Sequence, residues 1–143
     1  MSAERQATVR LVPEENASGK VAAVFRDLKA TKKLDAVPNF WRALATNPDN
    51  LEMIWTRLKA LMHPEAAGRK SPLDPVTREA IALAVSATNG CAYCINSHTA
   101  ALRKLGMSAE TVGEVLAIVG LFNTTNTLAD AYQVEADVLP PLD

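Results

Sequence analysis

Four side chains suited to acid–base or redox chemistry lie within a stretch of twenty residues: Glu79, Cys91, Cys94 and His98. Cys91 and Cys94 are the only two cysteines of the chain, and two residues separate them. On a helix, positions i and i+3 (Cys91 and Cys94) and positions i and i+4 (Cys94 and His98) project from one side. The spacing therefore predicts a pair of thiols beside an imidazole, and such a group is suited to dithiol–disulfide chemistry.

A thiol must lose its proton before it can act as a nucleophile, and a free thiol is only a few per cent ionised at neutral pH. A helix that begins at Cys91 would direct unpaired N–H groups and a partial positive charge toward both sulfur atoms. A protonated His98 would lie beside Cys94, and Glu79 could orient His98 and accept or return the proton. These residue types predict a reactive dithiol served by a proton relay.

Apolar residues recur at three- and four-residue spacing along most of the chain, and no strand pattern of comparable strength appears. The sequence predicts an all-α fold, a single-domain helical bundle of about six to seven helices that spans residues 1–143. The predicted helices cover residues 14–30, a short segment around residues 40–44, a third helix that begins at Asn47-Pro48, a fourth from Asp74-Pro75 to residue 88, a fifth over residues 91–105, a sixth capped by Ser108 and a last one that runs to about residue 137.

The distance between Glu79 and the cysteines depends on a helix break at Asn89-Gly90. A straight helix would place Glu79 roughly 18 Å from Cys91 at 1.5 Å per residue. If the fourth and fifth helices instead pack antiparallel about the break, Glu79 comes level with His98. The sequence therefore predicts a hydrogen bond between them, direct or through water.

The pattern also predicts which surfaces are buried. Residues 76–88 are rich in Ala, Leu and Ile, which predicts a fourth helix buried on most of its circumference. Residues 63–71 contain Pro64 and Gly68, and they predict a surface loop. Because the mostly apolar fourth and sixth helices are hard to cover in a small chain, we expect a self-associating surface.

Composition restricts the partners. Hydrophobic residues make up 48% of the chain and charged residues 22%, and the net charge of -1 gives no general attraction to nucleic acid or to an anionic membrane. The chain begins with polar residues and has no apolar run of the roughly 20 residues that span a bilayer. We therefore expect a cytoplasmic protein, in which a disulfide would be transient and catalytic rather than structural.

Other sites that use a Cys-x-x-Cys pair fit less well. Zinc is the main alternative, because the two cysteines and His98 would supply three ligands; a fourth is not obvious, since the other histidine, His63, lies in the predicted loop. Attachment of haem needs a histidine where this chain has Ile95, and a thioredoxin motif should follow a strand. We expect neither a bound metal nor a cofactor.

The spacing of the four residues matches a known signature: eleven residues lie between Glu79 and Cys91, two between the cysteines and three between Cys94 and His98. Together with the segments at 37–44, 85–90 and 101–106, this pattern resembles the AhpD-like alkylhydroperoxidases of the carboxymuconolactone decarboxylase superfamily. The resemblance covers roughly residues 10–135.

The resemblance implies an all-helical homotrimer or homohexamer that reduces a small hydroperoxide. Cys94 matches the thiolate that attacks the peroxide, and Cys91 matches the residue that resolves the resulting sulfenic acid to a disulfide. Glu79 and His98 match the proton relay, and a dihydrolipoyl group or another thiol donor would reduce the disulfide.

One position departs from the family pattern, because Tyr93 stands where the best-known peroxidases carry histidine. The departure leaves open a dithiol oxidoreductase without peroxidase activity, or an oligomeric protein that senses redox state. Lactone decarboxylation is not expected, since superfamily members with that activity do not depend on a cysteine pair.

Overall fold

A computed structural model describes residues 7–142, and over this range the chain forms six α-helices, two short 3-10 helices and no strand. The predicted all-α class is confirmed. The polar start of the chain, residues 1–6, lies outside the described residues. The chain divides into two compact units, one that ends at Pro72 and one that begins at Leu73. That these units form one domain stays a prediction.

The first unit contains three α-helices, and the sequence predicts the start of the third correctly. Asn47 caps that helix: its side-chain oxygen accepts the N–H of Asn50 at 3.1 Å, and Pro48 occupies the first helical position. The helices are α1 (Gly19–Lys32), α2 (Asn39–Leu44) and α3 (Pro48–Met62), with 3-10 helices at Glu14–Asn16 and Pro64–Ala67.

The core of this unit is built around two tryptophans. The rings of Trp41 and Trp55 meet edge to face with their centroids 5.3 Å apart, and both are buried with Leu28 and Leu51. The indole N–H of Trp55 donates to Asp27 at 2.7 Å, so the buried ring keeps a partner for its polar atom.

Two predictions for this unit are wrong in detail. The first α-helix begins at Gly19 rather than at residue 14, because the Glu14 carboxylate instead accepts the N–H of Val37 and the ammonium group of Lys29, each at 2.6 Å. The predicted loop at 63–71 contains a 3-10 helix in which Pro64 is fully buried, so part of it belongs to the packed structure.

The second unit is formed by three α-helices, α4 (Pro75–Thr88), α5 (Ala92–Lys104) and α6 (Ala109–Ala131). The side chains of Asp74 and Ser108 cap α4 and α6 as predicted, and each accepts a backbone N–H at 3.0 Å. Its core contains three buried apolar residues, one from each helix: Leu83, Leu102 and Val112.

The predicted separate last helix is wrong, because α6 continues through the polar residues 123–127 and ends at Ala131. The threonines of this stretch donate to carbonyl groups of their own helix: Thr124 to Gly120 at 3.0 Å and Thr127 to Asn123 at 2.7 Å. Such local bonds satisfy the hydroxyl groups without a break in the helix.

The predicted burial of the fourth helix on most of its circumference is also wrong within this single chain. Only Arg78, Leu83 and Ser86 of α4 are buried, whereas Ile81 and Val85 are exposed. Large apolar side chains of α6 are likewise exposed beyond its first turn, at Leu116, Ile118, Leu121, Phe122 and Leu128. Within residues 7–142, no helix has both the length and the apolar character needed to cross a bilayer.

Candidate active site

Three residues join α4 to α5, and the turn at Asn89-Gly90 places the third of them, Cys91. Gly90 adopts a left-handed conformation (φ 68°), which glycine tolerates because it has no Cβ. The N–H of Gly90 donates to the carbonyl of Ala87 at 3.2 Å, and the N–H of Cys91 donates to the carbonyl of Ser86 at 3.0 Å. This pair of bonds is the Schellman arrangement that ends a helix, and it fixes the backbone of Cys91 to the end of α4.

Cys91 also begins the next helix. It has an extended backbone, and its Sγ accepts the N–H of Cys94 at 3.3 Å, so the sulfur acts as the N-cap of α5. The two cysteines are joined by a disulfide bond with their Cα atoms 5.3 Å apart, and both are partly exposed. The sulfur atoms thus lie at the helix start that the sequence predicts.

The carboxylate of Glu79 and the imidazole of His98 form a second pair, in which His98 follows Cys94 by one helical turn. Nδ1–H of His98 donates to Oε2 of Glu79 at 2.7 Å, and both side chains are mostly buried, with exposures of 26% and 16%. This contact requires α5 to run back along α4, as the sequence predicts. Because Cys94 and His98 are one turn apart on α5, this helix connects the two pairs.

The structure thus places the four predicted residues in one helical hairpin, as two bonded pairs. Tyr93 lies between the cysteines with 46% of its surface exposed. Among the described residues, the His, Cys, Asp and Glu side chains form no group of three that could hold a metal ion. The other histidine, His63, lies just after the end of α3 in the first unit, where its backbone N–H donates to the carbonyl of Lys59.

Sequence reasoning missed two polar features near the hairpin. Arg78 is buried next to Glu79 in the sequence, and its guanidinium group donates to the carbonyl of Leu73 at 2.6 Å. Thr88, the last residue of α4, donates through its hydroxyl group to the side-chain oxygen of Asn123 on α6 at 3.2 Å. A polar stretch inside an otherwise apolar helix is the signal that could have singled out Asn123.

The fold and the site define an all-helical protein with a Cys-x-x-Cys disulfide at a helix start and, one turn further along the same helix, a histidine bonded to a glutamate. The sequence model of the carboxymuconolactone decarboxylase family matches residues 52–136 of this chain. The alkyl hydroperoxide reductase AhpD of Streptomyces avermitilis is 31% identical over 134 residues, which cover 94% of this chain and 69% of that protein. The AhpD of Solibacter usitatus is 36% identical over 97 residues, 68% of this chain and 50% of that protein.

A solved structure agrees with these sequence matches. The crystal structure of the alkylhydroperoxidase AhpD core from Rhodospirillum rubrum superimposes with a TM-score of 0.83 at 45% identity, over 93% of this chain and 96% of that one. The chain therefore belongs to the carboxymuconolactone decarboxylase family, in its AhpD-like branch.

Proposed function

We propose that this protein is a thiol-dependent peroxidase that reduces small hydroperoxides through a cycle between the Cys91–Cys94 dithiol and its disulfide. The observation that carries the proposal is the position of the disulfide, at the first turn of α5 and one turn from a histidine bonded to a glutamate. The relatives named alkyl hydroperoxide reductase AhpD and the similar alkylhydroperoxidase AhpD core support the same class of reaction.

In the oxidative half of the proposed cycle, the Cys94 thiolate attacks one oxygen of the hydroperoxide. The O–O bond breaks, Cys94 becomes a sulfenic acid, and the leaving alkoxide takes a proton and departs as an alcohol. The Cys91 thiol then attacks the Cys94 sulfur, which forms the disulfide and releases water. The peroxide accepts two electrons, and the two sulfur atoms supply them.

The reductive half needs two electrons and two protons from a dithiol, such as a dihydrolipoyl group, or from another thiol donor. A thiolate of the donor attacks one sulfur of the Cys91–Cys94 bond and forms a mixed disulfide. The second thiol of the donor then releases the protein sulfur, so the donor leaves as a disulfide and both cysteines are reduced. Partial exposure of both residues gives the donor access.

Glu79 and His98 have the proposed role of proton transfer. The Glu79 carboxylate binds Nδ1–H of His98 and favours the tautomer in which Nε2 is free to take a proton. His98 would accept the Cys94 proton as the thiolate forms and return it to the leaving alkoxide. The N–H groups at the start of α5 would stabilise the thiolate.

The test is consumption of tert-butyl hydroperoxide by the reduced protein with dihydrolipoamide as donor. We expect turnover in the native chain and none in Cys94→Ser, whereas Cys91→Ser should consume one equivalent of peroxide and stop at the sulfenic acid. Serine is close in size, and it is a favoured N-cap residue at position 91. Intact turnover in Cys94→Ser would overturn the proposal.

Tyr93 favours a second candidate, a dithiol oxidoreductase or redox sensor that does not use peroxide. Its exposed phenol occupies the position between the cysteines where the family signature offers an imidazole that could exchange protons. This candidate predicts that the native chain exchanges its disulfide with dihydrolipoamide but consumes negligible peroxide. Fast peroxide turnover would exclude it.

We also propose that the protein works as a homotrimer or homohexamer. Five large apolar side chains of α6 are exposed in the single chain, and such a surface is typical of an interface. They are Leu116, Ile118, Leu121, Phe122 and Leu128. The expected mass in sedimentation equilibrium is three or six times that of one chain, and a monomer would contradict the proposal.

A further inference from the structure

The end of α4 is tied to the middle of α6 by one side-chain hydrogen bond. The hydroxyl group of Thr88 donates to Oδ1 of Asn123 at 3.2 Å, and thirty-five positions separate the two residues. Thr88 is the last residue of α4, and only Asn89 and Gly90 lie between it and Cys91. The bond therefore acts on the turn that carries the first sulfur atom.

The backbone of this turn transmits any displacement of α4 to Cys91. The carbonyl groups of Ser86 and Ala87, in the same last turn as Thr88, accept the N–H groups of Cys91 and Gly90. The Cys91 sulfur in turn accepts the N–H of Cys94. The backbone of the last turn of α4 and the hydrogen bonds at its two ends thus connect Asn123 to the disulfide.

Asn123 differs from its polar neighbours on α6 in where its side chain bonds. Thr124 and Thr127 donate to carbonyl groups of α6 itself, whereas Asn123 accepts from another helix. Asparagine is also a weaker helix former than alanine, so its position inside a helix is unfavourable unless the side chain contributes elsewhere.

We propose that Asn123, acting through Thr88, is a positioning residue for the Cys91–Cys94 pair. It holds the last turn of α4 so that the Cys91 sulfur stays at the start of α5, within bonding reach of Cys94. This role rests on the proposed dithiol function, because it concerns the equilibrium between the two thiols and their disulfide.

The expected effect follows from the freedom of the reduced chain. Without the Thr88–Asn123 bond, the turn samples more conformations once the disulfide is open, so the effective concentration of one thiol near the other falls. We expect the equilibrium constant for disulfide formation to fall three- to tenfold. At 29.6 mV for each tenfold change, the reduction potential rises by roughly 15 to 30 mV.

The experiment equilibrates the full chain with dithiothreitol buffers of known ratio and counts free thiols by alkylation. Asn123→Ala and Thr88→Val should each raise the potential by the expected amount, and the double variant should raise it no further. Thr88→Ser keeps the hydroxyl donor and should therefore retain the native reduction potential. Thr124→Val is the matched control, because it removes a hydroxyl bond confined to α6.

Melting temperatures of all variants separate positioning from general loss of stability. A native potential in folded Asn123→Ala, or an equal shift in Thr124→Val, would overturn the positioning role while the native chain still cycles. A native chain whose cysteines never form a reversible disulfide would instead overturn the proposed function. The two failures are thus distinguishable in one data set.

Discussion

Replacement of Glu79 by glutamine removes a negative charge from a position 2.7 Å from Nδ1 of His98 and leaves the shape of the side chain almost unchanged. A hydrogen bond to a charged group contributes about 1.5–3 kcal/mol, against about 0.5–1.5 kcal/mol for a neutral one. The two ranges differ by about 1–1.5 kcal/mol, and because both side chains retain some exposure we take a difference of about 1 kcal/mol. At 1.36 kcal/mol per tenfold change, the rate of peroxide reduction should fall roughly fivefold.

The assay is a single turnover of the pre-reduced chain with stoichiometric tert-butyl hydroperoxide, followed by the loss of free thiols. Glu15→Gln, which neutralises an exposed carboxylate in the first unit, is the matched control and should react at the native rate. If Glu79 acts through His98, Glu79→Gln should add little to the effect of His98→Asn. A native rate in folded Glu79→Gln, or fully additive losses in the double variant, would refute the relay.

Three further predictions concern the turn at Gly90, the carboxylate of Asp27 and the exposed apolar surface of α6. Gly90→Ala should lower the free energy of unfolding by about 1–2 kcal/mol, and Gly90→Asn by less, because φ is 68° there and asparagine tolerates that conformation better than alanine. Equal losses of unfolding free energy for the two variants in urea denaturation would contradict this. Hydrogen bonds hold the pKa of Asp27 below its usual 3.8, the one from Lys59 more than the one from Trp55. The stability that these bonds add to the folded protein is present above that pH and is lost as the pH falls through the pKa of the folded state. Asp27→Asn should therefore cost about 0.5–1 kcal/mol at neutral pH, reduced by the 44% exposure of that side chain, and progressively less as the pH falls through the folded pKa; a loss in urea denaturation that is equal in neutral and acidic solution would contradict it. Leu121→Glu, at a side chain that is 57% exposed, should lower the mass in sedimentation equilibrium without loss of helical circular dichroism, and an unchanged mass would contradict association through α6.

The elements that position the site could be predicted because local signals are strong there. Asp74-Pro75, Ser108 and Asn89-Gly90 mark helix ends through side-chain caps and backbone conformation, and these depend on few neighbours. The contact between Glu79 and His98 could be predicted from the helix break, because antiparallel packing about so short a connection brings the two residues level. Residue spacing and turn chemistry were sufficient to predict the hairpin of α4 and α5.

The remaining errors arise where contacts between residues far apart in the sequence determine the local structure. Glu14 looks like the start of a helix, but its carboxylate is engaged by Lys29 and Val37, and neither contact is visible in a local pattern. The polar residues 123–127 look like a break, yet threonine hydroxyl groups that bond within α6 allow the helix to continue. The bond between Thr88 and Asn123 joins positions far apart in the chain, so no periodicity could predict it.

Cys91 is both the residue that completes the end of α4 and the residue that opens α5, so the connection has no spare length. One additional residue in a helix turns everything beyond it by about 100° and advances it by 1.5 Å. An insertion between Glu79 and Cys91 would therefore rotate the carboxylate away from the imidazole, with no loop to absorb the change. The intervals of eleven, two and three residues in the signature are thus fixed by the helical repeat together with the turn between α4 and α5, and relatives that keep the four side chains should tolerate substitutions within these intervals but not changes in length.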